Sequence, residues 1–242
     1  MQGTRLVVTG IGLVTSLGGT RDASWSALVR GDRGLRPINL FDTTNQRARL
    51  GGQVEAVTIP DLGEAGPAGW SRSSAMAYAA AREAMNEGRV EPAKMRVGLV
   101  VGATTGGMFE TEARLAELHA NPDAHDALLE MLSHPLTATG DRLDETLGRF
   151  VRVRTVSSAC SSGANALIVA TSWLHSGEVD VVVAGGTDGL CRLTLSGFNA
   201  LAAIDVSACR PFDKNRRGLN LGEGAGSWRT SVARQGHAWR PM

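Results

Sequence analysis

Thr155-Val156-Ser157-Ser158-Ala159-Cys160-Ser161-Ser162-Gly163-Ala164-Asn165-Ala166-Leu167 is the stretch on which the reading of this chain turns. Val151, Val153, Thr155 and Val156 lead into it as a short extended run, the composition of a strand. Small residues from Ser157 to Gly163 then predict a sharp turn, and a helix follows from Ala164 to about His175, stopped at Ser176-Gly177. A cysteine at a helix start meets unpaired backbone N–H groups and the positive end of the helix dipole. That setting favours the thiolate and makes a better nucleophile. Small neighbours also leave room for a carbonyl beside the sulfur. Free cysteines are as often simply buried small residues, and the turn by itself leaves both readings of Cys160 open.

Working outward, Val179–Ala184 is a continuous apolar strand ending in Gly185-Gly186. A buried strand after a crossover helix is a βαβ unit and implies parallel pairing. Upstream, Trp70–Glu87 reads as a strong helix with Ser71 or Ser73 as cap and Gly88 as its end. Val97–Val101 is a buried strand opening into Gly102-Ala-Thr-Thr-Gly-Gly107, a junction where a ligand tail passes close to the backbone, or a plain strand-to-helix turn. Phe109–His119, Ala124–Leu132 and Asp141–Phe150 have helical character, with a break at Asn121-Pro122. Near the start, Thr4–Thr9 is strand-like and Gly10-Ile-Gly12 reads as a tight strand-to-loop turn. A dinucleotide fingerprint fails there because the next glycine is Gly18. Ala23–Arg30 is helical with Trp25 and Leu28 on one side, and residues 32–68 read mostly as loop with short strands. Alternating strands and helices make the chain α/β.

The 242 residues suffice for a sizeable core, and 43% hydrophobic content is that of a globular protein. A net charge of +1 argues against nucleic acid or an acidic membrane surface as the main partner. No apolar run approaches the roughly 18–20 residues that span a bilayer, and no secretory leader is visible. The three cysteines, Cys160, Cys191 and Cys209, lack regular or zinc-type spacing. They point to a reduced, cytoplasmic protein with no metal site. Cys191 and Cys209 lack the small-residue turn of Cys160 and read as structural. His119, His125 and His134 sit on polar segments and read as surface residues. Asp213, Arg216, Arg217 and Glu223 read equally as an ion-pair network or a solvated charged loop.

Thr155–Ala166 resembles the active-site segment of the β-ketoacyl-acyl-carrier-protein synthases, the condensing enzymes of fatty-acid and polyketide synthesis. Three further stretches are similar to that family in the same order: Arg5–Gly18, Val183-Ala-Gly-Gly-Thr-Asp188, and Cys209-Arg-Pro-Phe-Asp213 running on to Gly226. The resemblance implies a thiolase-like layered fold, of which residues 1–226 form the N-terminal half and the second half is incomplete. It implies Cys160 as the acyl-accepting nucleophile, with Thr105, Gly106, Gly107, Gly197 and Phe198 along the acyl pocket. Where Thr105 stands the family often has a larger aliphatic side chain, so more room is expected. No cofactor is implied; the substrates arrive on the phosphopantetheine of acyl carrier protein, and a homodimer or a heterodimer with a related subunit is expected.

After Gly226 the resemblance stops. The tail, residues 227–242, is basic and without period, and reads as a frameshifted or misassembled end. The family's two catalytic histidines, which assist decarboxylation of malonyl carrier protein, and their supporting lysine would follow that point. None of the chain's five histidines matches their motifs. The expectation is therefore a chain that self-acylates at most. A non-catalytic partner subunit, or a thiolase-type enzyme using coenzyme A, are the competing readings. Cys160 argues against the first; the Ala-Cys-Ser-Ser-Gly and Arg-Pro-Phe-Asp contexts argue against the second.

Overall fold

The computed structural model describes residues 5–55, 57, 69–123, 128 and 131–232. In chain order the elements are β1 (Leu6–Val14), α1 (Arg21–Val29), β2 (Arg36–Pro37), β3 (Leu50–Gly52), α2 (Arg72–Glu87), β4 (Val97–Gly102), α3 (Met108–Ala120), a 3₁₀ turn (Met131–Ser133), α4 (Ala138–Leu147), β5 (Arg152–Val156), α5 (Ser162–His175), β6 (Val181–Asp188), α6 (Arg192–Ala200), β7 (Leu221–Gly222) and β8 (Gly224–Val232). The main sheet has five strands in the order β1-β8-β6-β4-β5. The pairs β1/β8 and β8/β6 are antiparallel, and β6/β4 and β4/β5 are parallel. A small sheet β2-β3-β7 lies apart from it. The βαβ unit at Cys160 is parallel as expected, but its two strands do not touch, because β4 lies between β5 and β6.

Helices cover both faces of the sheet. Val97, Leu99, Val101, Val181 and Val183 point to one side, where they pack with Ala77, Ala81 and Met85 of α2 and Leu143 of α4. Val100, Val182 and Ala184 point to the other, against Ala166, Ala170, Trp173 and Leu174 of α5. All six residues of β4 are buried, which is why its sequence is an unbroken apolar run rather than an alternating one. Ser71 caps α2 by accepting from the Ser74 N–H, and Gly88 follows its last turn.

Several expectations are corrected. Gly10-Ile-Gly12 is no turn; it lies inside β1. A Cβ at Gly12 would stand 1.9 Å from the Ala80 carbonyl oxygen and one at Gly10 2.1 Å from that of Ala84. The glycines let α2 lie directly on the strand, a close approach that any side chain would block. Helix α1 buries Ser24 and Ala27 and leaves Trp25, Leu28 and Val29 exposed. The helix expected over Asp141–Phe150 starts earlier and ends at Leu147, where Gly148 turns at φ 105°. That expected over Ala124–Leu132 falls largely outside the described residues, as does His125. The loss of pattern after Gly226 falls inside an element: β8 continues to Val232, between β1 and β6. Residues 233–242 lie outside the described residues. Among those described, no helix is long and apolar enough to cross a membrane.

Candidate active site

Strand β5 ends at Val156, and α5 begins at Ser162, two residues earlier than its sequence suggests. Cys160 therefore precedes the N-cap residue, Ser161, and stands in the turn itself. The backbone of Ala159 takes φ 53°, a left-handed conformation that is uncommon without glycine and is held only where surroundings enforce it. Serine side chains enforce it in this turn. The Ser162 hydroxyl donates to the Ala159 carbonyl at 2.7 Å and accepts from the Ser158 N–H at 2.9 Å. The Ser161 hydroxyl donates to the Ser158 carbonyl at 2.9 Å, and Asn165 Nδ2 donates to Ser158 Oγ at 2.7 Å. The string of small polar residues is thus a set of local side-chain-to-backbone bonds that folds the turn and leaves Cys160 exposed on it. A Cβ at Gly102 would sit 2.5 Å from the Ser162 carbonyl carbon, so the glycine lets the helix start rest on the end of β4.

Cys160 lies on the rim of a cavity of about 580 Å³ that Thr105, Asp188, Thr194 and Phe198 also line. Its surface is mainly apolar, as expected of a site for an acyl or other small organic group. Of the expected pocket residues, Thr105 and Phe198 meet there with Cys160. Gly106 and Gly107 turn away: Cβ atoms on them would meet the carbonyls of His134 and Ser133, at 2.7 and 2.4 Å. They serve as the seat for the 3₁₀ turn, and Gly106 accepts a bond from buried Ser73. Gly197 faces open space rather than the cavity, because its neighbour Phe198 takes the inward side of α6. Helix α6 is docked by α3, whose Glu112 carboxylate accepts from the N–H groups of Arg192 and Leu193 at 2.8 and 2.6 Å. A carboxylate at a helix N-terminus satisfies the orphan donors and complements the dipole.

Of the two readings of the charged loop, the structure does not show a network joining Asp213, Arg216, Arg217 and Glu223. Glu223 pairs not with Arg216 or Arg217 but with Arg72 of α2, in a fork whose oxygens also accept from the N–H groups of Val54 and Leu190. Its side chain is fully buried and both oxygens have donors, which is what makes a buried carboxylate tolerable. Asp213 pairs with Arg210 in an exposed loop. Arg72 carries no sequence signal beyond being a charge beside a helix cap, whereas Asp188 closes the family-like stretch Val183–Asp188 without any sign there of what it bonds. Cys191 is buried, and burial pushes its thiol up despite the Thr194 contact, so it is a poor nucleophile. Cys209 holds its loop through its N–H, which donates to Asn220 Oδ1 at 2.7 Å. His119 and His134 are exposed, and His134 Nδ1 contacts the Thr111 hydroxyl at 3.0 Å. Among the described residues no histidine lines the cavity, and none forms part of a cluster of three or more His, Cys, Asp or Glu side chains placed to hold a metal ion.

A mixed sheet between helices, with a serine-locked turn presenting cysteine to an apolar cavity, defines a thiolase-like ketosynthase fold. The chain belongs to the beta-ketoacyl synthase family: the family's N-terminal domain matches residues 4–228. It is 31% identical over 238 residues to the tetracenomycin polyketide synthase ketoacyl synthase alpha subunit of Streptomyces glaucescens, covering 91% of this chain and 56% of that one. It is 28% identical over 245 residues to 3-oxoacyl-[acyl-carrier-protein] synthase 2 of Synechocystis, covering 93% and 57%. Among solved structures, the ishigamide ketosynthase/chain length factor superposes with a TM-score of 0.81 at 28% identity, over 95% of this chain and 58% of that one. The chain thus spans a little over half the length of the relatives it matches.

Proposed function

We propose that this chain is the nucleophile-bearing half of a β-ketoacyl-acyl-carrier-protein synthase, and that its own chemistry is acylation of Cys160. The observation that carries this is an exposed cysteine on a strained, serine-locked turn at the rim of a cavity of about 580 Å³. In the step, the Cys160 thiolate attacks the carbonyl carbon of an acyl thioester on acyl carrier protein. A new sulfur–carbon bond forms, the bond to the phosphopantetheine sulfur breaks, and that sulfur leaves as a thiolate, which takes a proton from water. The acyl tail runs into the cavity past Thr105 and Phe198, and the short Thr105 side chain leaves room for a long or bulky tail. The backbone N–H of Cys160 is placed to donate to the developing oxyanion, since those of Ser158, Ser161 and Ser162 are bonded within the turn. No organic cofactor is needed for this transfer. Decarboxylative condensation with malonyl carrier protein also calls for the family's pair of histidines, and among the described residues no histidine lines the cavity.

The cognate partner is an acyl carrier protein. A second ketosynthase-like subunit is a further partner, a reading supported by solved relatives that pair a ketosynthase with a chain length factor. The test is intact-protein mass spectrometry after mixing the chain with acyl carrier protein thioesters. Wild type should gain one acyl mass, mapped to Cys160, and Cys160→Ala should gain none. Equal labelling of the two would overturn the assignment.

A further inference from the structure

Asp188 is the last residue of β6 and lines the same cavity as Cys160. A carboxylate ending an apolar strand needs donors close by. All three of those on its Oδ1 come from one short segment: the N–H groups of Thr104 and Thr105, at 2.8 and 2.7 Å, and the Thr105 hydroxyl at 2.9 Å. These residues have just left β4, whose ladder to its neighbours stops at Gly102. Asp188 therefore supplies the acceptor that the sheet no longer offers, and charge-assisted bonds of this kind are the strong ones. Thr104 passes the connection on. Its hydroxyl donates to the Ala159 carbonyl at 3.2 Å and lies 3.4 Å from Ser162 Oγ. Ala159 is the residue held at φ 53°, next to the nucleophile. A continuous set of contacts runs from Asp188 through Thr104 to the turn that presents Cys160, and a branch of it fixes Thr105, a wall of the cavity.

The geometry points to Asp188 as a positioning residue that sets the acyl-pocket wall and the nucleophile turn together, and so governs both how fast Cys160 is acylated and which acyl chain is preferred. The inference rests on the acylation reading above. Asp188 touches no reacting atom; it acts through Thr104 and Thr105. A carboxylate that only stabilised the fold would lower the melting temperature without changing the preference between chains.

The test compares wild type, D188N, D188A and T104V as full chains. Each is mixed with butyryl or palmitoyl N-acetylcysteamine thioester and Cys160 acylation is followed by mass. Asn keeps an oxygen acceptor at this position, whereas Ala removes it. D188A should acylate roughly tenfold slower or worse, since small misplacements of reacting groups cost factors of this size. Its butyryl-to-palmitoyl rate ratio should shift by about threefold or more, while D188N stays within about threefold of wild type in rate and keeps the ratio. T104V should slow acylation and leave the ratio alone, because Thr105 remains anchored. Wild-type rate and ratio in D188A, or slower acylation at an unchanged ratio, would overturn the inference. Amide hydrogen exchange on the same variants provides a readout independent of acylation. D188A should exchange faster over residues 103–106 and 158–162, and T104V over 158–162, with β4 and β6 protected as in wild type. If wild type itself gains no acyl mass, the acylation reading fails and this exchange pattern decides the positioning role. Unchanged exchange over 158–162 in both D188A and T104V sinks it. Should D188A fail to fold, an unaltered rate and exchange in T104V does the same.

Discussion

Glu110 of α3 holds the first N–H of α2, that of Arg72, at 2.7 Å with Oε1, while Oε2 is buried without a hydrogen-bond partner among the described residues. Burial pushes its carboxyl above the ordinary value of 4.5, against the opposing pull of the Arg72 N–H bond, and the nearby Glu223 charge adds to the rise. The folded protein therefore binds this proton more tightly than the unfolded chain does. The stability tied to it is present in full below the unfolded value and is lost as pH rises through the higher folded one. Glu110→Gln keeps an oxygen for the Arg72 N–H and removes the charge. It should be more stable than wild type at neutral pH and no more stable below the ordinary carboxylate range. Urea unfolding of both proteins at the two pH values measures this; parallel stability curves would contradict it. At this scale the turn that carries Cys160 was legible in the chain, because its motif context is specific; Thr105 and Phe198, which line the same cavity, were singled out only by what the resemblance implies. The contacts of Asp188, Arg72 and Glu110 were not, since their partners lie 38 to 151 residues away in sequence.

Among the elements, β8 carries the sharpest conflict between sequence and place. Arg229 pairs with Val183 across the ladder and so shares its face, toward α2. Ser227 and Ser231, opposite Gly185 and Val181, point the same way. An interior strand covered by a helix is ordinarily apolar on that face. Among the described residues Arg229 instead bonds neutral hydroxyls, those of Thr9 and Ser231, and its Nε is buried without a partner there. Burial, the one cause acting on it, lowers its pKa. Arg229→Leu should raise unfolding stability by about 1 kcal/mol, the order of cost of an unsatisfied polar group in proteins. A midpoint in urea that stays put or falls would show that the guanidinium is well accommodated. The strand was missed because periodicity is the signal for one, and this segment forms its ladder without an apolar row on the α2 side. Helix α1 fails in the converse way: its large apolar residues face outward, and the small Ser24 and Ala27 fit the narrow space against β1.

Over the whole molecule, the sheet ends on β5, whose outer edge is unpaired among the described residues, with Val151 and Val153 exposed. An open edge with apolar side chains is a template for another strand. The chain should self-associate in a concentration-dependent way, and Val153→Lys should shift it toward monomer, because an edge lysine opposes strand pairing. Sedimentation velocity over a concentration series checks this, and identical profiles for the two proteins would place association elsewhere. Arg152 does not close the edge: its guanidinium turns back over the Trp173 ring, 5.0 Å from the centroid.

The sequence by itself determined the α/β class, the family, the strand–turn–helix around Cys160, and the buried strands β4 and β6. Each of these is written locally, in runs of apolar residues and in small polar residues that bond their own backbone. Only the tertiary structure decided that β4 separates β5 from β6, that Gly10 and Gly12 lie within a strand under α2, and that Glu223 belongs to Arg72. It alone brought Asp188 against Thr104 and Thr105. Those outcomes are set by which surfaces meet at distances of an atom's width, and a side chain's spacing along the chain carries no record of what it will face across the fold.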